Sequence, residues 1–171
     1  MEIYSESPKM IKRISILAII FFIGCMSSFA KKRALLIGIG NYDFTATGWS
    51  VIHGNNDVAL LESKLKAKGF SVTYLTDNRA TKSNIRFALS DLVASVTAGD
   101  IIYLHFSGHG QLIEDMNNDE QEDLDQSFVC YDACFSSNYK VSGTSYRGQN
   151  HFIDDETFPY LHNLKRKVGK T

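Results

Sequence analysis

Residues Asp100–Gln111 read DIIYLHFSGHGQ, and this stretch decides the fold. Ile101–Phe106 is an apolar run bounded by Gly99-Asp100 before it and by glycines after it, the pattern of a parallel strand buried on both faces. At its C-terminal end stands Ser107-Gly108-His109-Gly110, where open α/β sheets place their ligands. Glycine on both sides of His109 removes the β-carbons that would crowd an imidazole and lets the backbone come close to a substrate. A histidine titrates near neutral pH and serves as an acid or base, so His109 is the candidate general base; the plain alternative is a strand-ending turn. His105, inside the apolar run, reads as a hydrogen-bonded core histidine outside the site.

Working outward, Arg33–Ile39 (RALLIGI) is a second run with almost no alternation and reads as a central strand. It ends in Gly38-Ile39-Gly40-Asn41-Tyr42. A dinucleotide site would want a third glycine and an immediate helix, whereas Asp43 and a loop to about Gly54 follow, so that reading fails. Asn55 or Asn56 is placed to cap a helix carrying Val58, Leu61 and Leu65, which stops at Gly69. A strand over Phe70–Leu75 comes next. Thr81 or Ser83 then opens a helix with Ile85, Ala88, Leu89, Leu92 and Val96 on one stripe. Strand, helix, strand, helix, strand predicts an α/β domain with three parallel strands in the order 2-1-3 and helices on both faces.

Beyond Gln111, Glu114–Gln126 (EDMNNDEQEDLDQ) carries seven carboxylates in thirteen residues and reads as a solvated loop. Asp115, Asn117 and Asp119 imitate the start of an EF-hand loop, but Glu120 replaces its turn glycine and Gln126 its closing glutamate, so that motif fails while weaker cation binding stays open. Ser127–Tyr131 reads as a short strand and Ser136–Asn150 as a polar loop. Asp154 or Asp155 is placed to cap a last helix with Phe158, Leu161 and Leu164 inward. Its basic end and Gly169 predict a further strand, which is not present before Thr171.

Length and composition bound the rest. The 171 residues, with 44% hydrophobic and 22% charged, suit one domain. Lys12 and Arg13, the apolar run Ile14–Gly24 and the small residues of Ser28-Phe29-Ala30 read as a secretory signal peptide over residues 1–30. Glu2 and Glu6 are unusual there and make Met10 an alternative start. Gly24-Cys25 leaves a lipoprotein reading open, against which Phe22 is a poor fit. The run is too short for a membrane span. Removing residues 1–30 takes away three basic and two acidic groups and moves the formal charge from −1 to −2. A near-neutral domain without a Lys/Arg cluster has little electrostatic reason to bind nucleic acid. Cys130 and Cys134 are too few for a disulfide framework.

These motifs together carry a resemblance. From about Lys32 to the end, the first strand with GIGNY, GNND at Gly54–Asp57, SGHGQ at Ser107–Gln111, DLDQ before a short strand and IDDE at Ile153–Glu156 resemble the caspase-like cysteine peptidases, most closely the metacaspase-type branch found in bacteria. The resemblance implies a caspase-like three-layer α/β fold over residues 31–171 and a polypeptide substrate. It implies a Cys-His dyad in which His109 activates the thiol and protonates the leaving amine. It further implies cleavage after Arg or Lys, with Asp57 and Ser107 lining the primary pocket; the plain alternative for Asp57 is support of its helix N-terminus. No cofactor is required, but calcium activates several members through carboxylates matching Asp125, Asp154 and Asp155. In that family the cysteine sits on the next parallel strand, and this chain is expected to stop before it. Asp132-Ala133-Cys134-Phe135-Ser136 looks like the nucleophile sequence, yet Cys134 lies 25 residues after His109 where caspase-type spacing is about 50, with no apolar stripe for a crossover helix between. The competing expectation is a secreted, inactive pseudopeptidase or binding module that keeps the fold without the nucleophile.

Overall fold

The computed structural model describes residues 30–115, 124–135, 140–141 and 144–169. The predicted signal peptide and the centre of the acidic stretch therefore lie outside the described residues.

Strand β1 (Lys32–Gly38) lies between β2 (Ser71–Thr76) and β3 (Ile101–Ser107), parallel to both, in the order β2-β1-β3. The lack of alternation in β1 has its physical cause here. Ala34 and Leu36 pack against Val58 and Leu65 of helix α2 (Gly54–Ala67), whereas Leu35 and Ile37 join Ile85, Leu89 and Leu92 of α3 (Lys82–Ser95) on the other face. Helices on both faces of a parallel sheet make the three layers, so the predicted caspase-like α/β architecture holds.

Local signals explain most of the helix ends. Thr81 accepts a hydrogen bond from the Asn84 amide and caps α3 as predicted. Helix α1 (Phe44–Thr47) is capped by Asp43 and stopped by Gly48 at φ 84°. At α2 the prediction needs correction: His53 precedes the helix without a side-chain cap, and the Asn55 side chain turns away to Asp77. What fixes this end is steric. A β-carbon at Gly54 would run into the carbonyl oxygens of Ser107 and Ile39, so glycine lets the N-terminus of α2 sit directly on the end of β3.

The second half departs further from expectation. The segment after the SGHG turn is a strand, β4 (Gly110–Glu114), antiparallel to β5 (Leu124–Val129), which pairs in turn with β8 (His151–Ile153). Both ends of the acidic stretch are thus strand rather than loop, and the predicted strand at Ser127 begins earlier and stops at Val129. The polar loop carries a small hairpin, β6 (Lys140–Val141) with β7 (Thr144–Ser145). Helix α4 (Asp154–Val168) starts at Asp154, with Ile153 in the cap position, so Asp154 and Asp155 occupy its first turn instead of capping it. Of its predicted inward residues only Leu164 is buried; Phe158 is 68% and Leu161 45% exposed. Helix α4 leans on α3 through Glu156, which pairs with Lys82 and Arg86, and Leu161 borders an open groove along the outer edge of β3.

Candidate active site

The turn after β3 is built around the missing β-carbon of Gly108. A methyl group there would collide with the Phe106 ring and with the Tyr42 hydroxyl. With glycine in place, the His109 amide donates to the Tyr42 hydroxyl at 3.2 Å, and that hydroxyl donates to the Val129 carbonyl at 2.9 Å. Val129 closes the loop by donating its own amide to the His109 carbonyl at 2.9 Å. The backbone of His109 is therefore tied to the loop that follows β1 and to the last residue of β5. Burial pushes the Tyr42 phenol up, so it stays a neutral donor and acceptor.

The imidazole is oriented as well as anchored. Its Nε2 lies 2.9 Å from the carbonyl oxygen of Ser50. A carbonyl can only accept, so Nε2 carries the hydrogen and Nδ1 keeps its lone pair. The ring is flanked by Tyr42, at 5.1 Å between centroids, and by Trp49, stacked at 4.9 Å. A histidine with one nitrogen fixed as donor and the other left as a proton acceptor is arranged as a general base.

The loop supplying Tyr42 is held by Asp77. That residue adopts φ 46°, a left-handed conformation uncommon outside glycine but tolerated best by asparagine and aspartate. From there its carboxylate takes the amides of Gly40 and Asn41, each at 2.8 Å, and the side chains of Asn41 at 3.1 Å and Asn55 at 3.2 Å. Partial burial works against the charge, but these donors outweigh it and hold the carboxyl below its ordinary range. Asp77 thus ties the end of β1 to the start of α2 beside the site.

Ser107 and Asp57 are brought together. The Ser107 hydroxyl donates to Asp57 Oδ2 at 2.6 Å, a consequence of the Gly54 contact that seats α2 on β3. Asp57 is exposed in the first turn of its helix, the placement of a carboxylate that supports a helix N-terminus, and not buried as the pocket reading expected. Asp125 is buried on β5, while Asp154 and Asp155 are half-buried at the start of α4. Ser127 pairs with Ile153, so Asp125 and Asp155 lie beyond the same end of that ladder. Among the described residues no group of three or more His, Cys, Asp or Glu is close enough to hold a metal ion.

His105 corrects the prediction made for it, since its buried Nε2 has no hydrogen-bond partner. Cys130 and Cys134 are buried free thiols. Burial, with the charge of Asp132 adding to it, pushes the Cys134 thiol up, the opposite of what a nucleophile needs, and the thiol donates to the Ala46 carbonyl at 3.9 Å. No hydrogen bond joins it to His109 among the described residues.

Three features were not read from the sequence: the Ser50 carbonyl, Trp49, and a buried relay behind the site. In the relay, Asn150 donates its amide to the Tyr146 hydroxyl at 3.2 Å, and Tyr146 meets His151 Nδ1 at 2.6 Å. His151 Nε2 reaches Gln111 Oε1 at 2.8 Å, and Gln111 donates to the Phe135 carbonyl at 3.2 Å. Burial, with Lys82 adding to it, pushes His151 down to about 4, so it is neutral at physiological pH. Gln111 belongs to the SGHGQ motif and was the one available signal.

A parallel α/β layer with a main-chain-oriented histidine at the C-terminal end of its third strand defines the class: a caspase-like domain. The chain belongs to the caspase-domain family, whose sequence profile matches residues 31–165. It is 30% identical over 138 residues to metacaspase-1 of Eremothecium gossypii, covering 77% of this chain and 28% of that protein. It is 31% identical over 144 residues to metacaspase-1B of Aspergillus fumigatus, covering 78% and 30%. With metacaspase-3 of Arabidopsis thaliana it shares 34% over 116 residues, covering 62% and 31%. The chain thus spans less than a third of these relatives. A crystal structure of a Geobacter sulfurreducens protein superposes with a TM-score of 0.60 at 25% identity, covering 78% of this chain and 45% of that one.

Proposed function

We propose that this chain supplies the histidine side of a cysteine endopeptidase centre that cleaves polypeptides after Arg or Lys. The observation that carries the reading is the Ser50 carbonyl on His109 Nε2, which leaves Nδ1 to take a proton. A thiol would give its proton to Nδ1, and the thiolate would attack the substrate carbonyl. The imidazolium would then protonate the departing amine, and water would release the acyl group. The thiol belongs on a further parallel strand beside β3, whose outer edge has no partner strand among the described residues. An apolar groove lined by Ile101, Leu104, Leu161, Leu164 and Val168 runs along that edge and suits such a strand.

Basic specificity rests on Asp57, an exposed carboxylate ordered by Ser107 at the end of the histidine strand. A carboxylate pairs with a guanidinium bidentately, which is strong and directional. Calcium activation is proposed on the family resemblance alone: Asp125, Asp154 and Asp155 do not by themselves form a three-carboxylate site, so an ion there would need further oxygen ligands, which calcium favours. Residues 1–30 are proposed as an export signal.

The test is a peptide library presented to the natural product of the gene, with and without millimolar calcium. Cleavage after Arg or Lys supports the reading, and cleavage after Asp refutes basic specificity. Specific peptide binding without turnover would instead mark a pseudopeptidase or binding module.

A further inference from the structure

We propose that Trp49 is a positioning residue for His109: its indole face sets the plane of the imidazole while the next residue's carbonyl sets its tautomer. The inference rests on the reading of His109 as the general base.

One short segment delivers both groups. Gly48 turns the chain at φ 84°, and the Trp49 amide is tied to Thr47 Oγ1 at 3.3 Å. Thr47 is itself fixed by the Asp43 carbonyl at 2.7 Å, and its carbonyl receives the Phe135 amide at 2.7 Å. Two residues beyond Ser50, the Ile52 amide returns to the Gly40 carbonyl at 2.9 Å. The chain between these ties presents the Trp49 ring stacked on His109 at 4.9 Å and the Ser50 oxygen against Nε2 at 2.9 Å. Phe135 meets the indole edge-on at 5.0 Å, and His151 lies edge-on at 6.4 Å, so the ring is held by neighbours of its own.

Ordinary core filling does not account for this residue. Trp49 is only 7% exposed, yet its indole Nε1 is buried without a hydrogen-bond partner, which is unfavourable and which phenylalanine or leucine would avoid. What the indole offers in return is a broad π face against an imidazole. That face stacks on the neutral ring and attracts the cation that forms between taking the thiol proton and giving it to the amine. It does so without offering an acceptor that would compete for the ring hydrogens.

The experiment reads His109 directly and needs no turnover, so its failure is separable from failure of the peptidase reading. In the full chain, imidazole nitrogen and carbon-bound proton resonances of His109 are assigned by comparison with His109→Gln. The expected spectrum has Nε2 as the protonated nitrogen of the neutral ring and ring protons moved upfield by the indole current. Trp49→Leu should lose the upfield shift and give a mixture of tautomers, and Trp49→Phe should restore a single tautomer. A Trp49→Leu protein with native core methyl shifts and an unchanged single tautomer would overturn the proposal. Because the chain has one tryptophan, a second measurement avoids any folding failure of that variant. Its emission should change in His109→Gln, which removes the ring stacked on the indole, and emission identical in intensity and wavelength would equally overturn the proposal.

Discussion

The carbonyl oxygen of Ser50 sits 2.9 Å from Nε2 of His109, although 59 residues separate them in the chain. The orienting group is main chain, so the identity of the residue providing it matters little. Ser50→Ala should leave kcat/KM of the intact protein within about twofold, as expected when no side-chain contact is lost. Steady-state kinetics on a basic peptide substrate checks this; a large loss would move the role to the hydroxyl.

Asp77 makes a different prediction because its side chain accepts from both the Gly40–Asn41 loop and Asn55. Asp77→Asn should cost about 1–3 kcal/mol of stability, the range for leaving charge-accepting donors poorly satisfied. The folded carboxyl is held below its ordinary value. Its contribution is therefore present above the unfolded pKa of about 3.9 and is lost as pH falls through the folded value. Urea unfolding of both proteins from pH 7 down to pH 3 should show the gap closing below about pH 4.

His151 should dominate a separate, higher window. Its folded pKa is pushed down to about 4 by burial. Between about 6.5 and that value the unfolded chain binds a proton that the folded chain refuses, so stability falls as pH drops across this range. His151→Gln, which keeps a polar side chain beside Tyr146 and Gln111, should flatten that slope. Denaturation midpoints at half-unit pH steps decide it, and an equal slope in both proteins would count against the buried neutral histidine.

How far the sequence could be read follows from what faces what. The parallel strands were legible because both faces of β1 are covered, so Ala34, Leu35, Leu36 and Ile37 are all buried and apolar. Strand β5 was misjudged because its periodicity runs against polarity. Asp125 and Ser127 point inward, while Leu124 and Phe128 are exposed. An alternation whose buried members are polar looks like loop to any hydrophobic pattern. Strand β8 is three residues long, too short to leave a pattern. At the site, the glycines around His109 and the family motifs at Ser107 and Asp57 made these residues candidates in the sequence, and the structure adds the hydrogen bond between Ser107 and Asp57. A backbone carbonyl carries no residue signal, so the Ser50 contact and the stacked Trp49 beside it could come only from the fold.

Cys134 should be chemically quiet. Its thiol is buried and pushed up by that burial and by Asp132, and it faces the Ala46 carbonyl. Cys134→Ala should leave cleavage of Arg and Lys peptides unchanged, and alkylation of Cys134 in the folded protein should be much slower than that of a free thiol. Turnover by the chain that vanishes in the variant would falsify this assignment.

The central claim is that His109 moves the protons of a peptide-cleaving thiol. The most direct measurement is kcat/KM of the intact gene product and its His109→Ala variant on a peptide with Arg at the cleaved bond. The loss should be at least about 10²–10⁴-fold, the contribution of a positioned acid-base group, with the fold unchanged by circular dichroism. A variant that cleaves the peptide as fast as the parent would contradict the account.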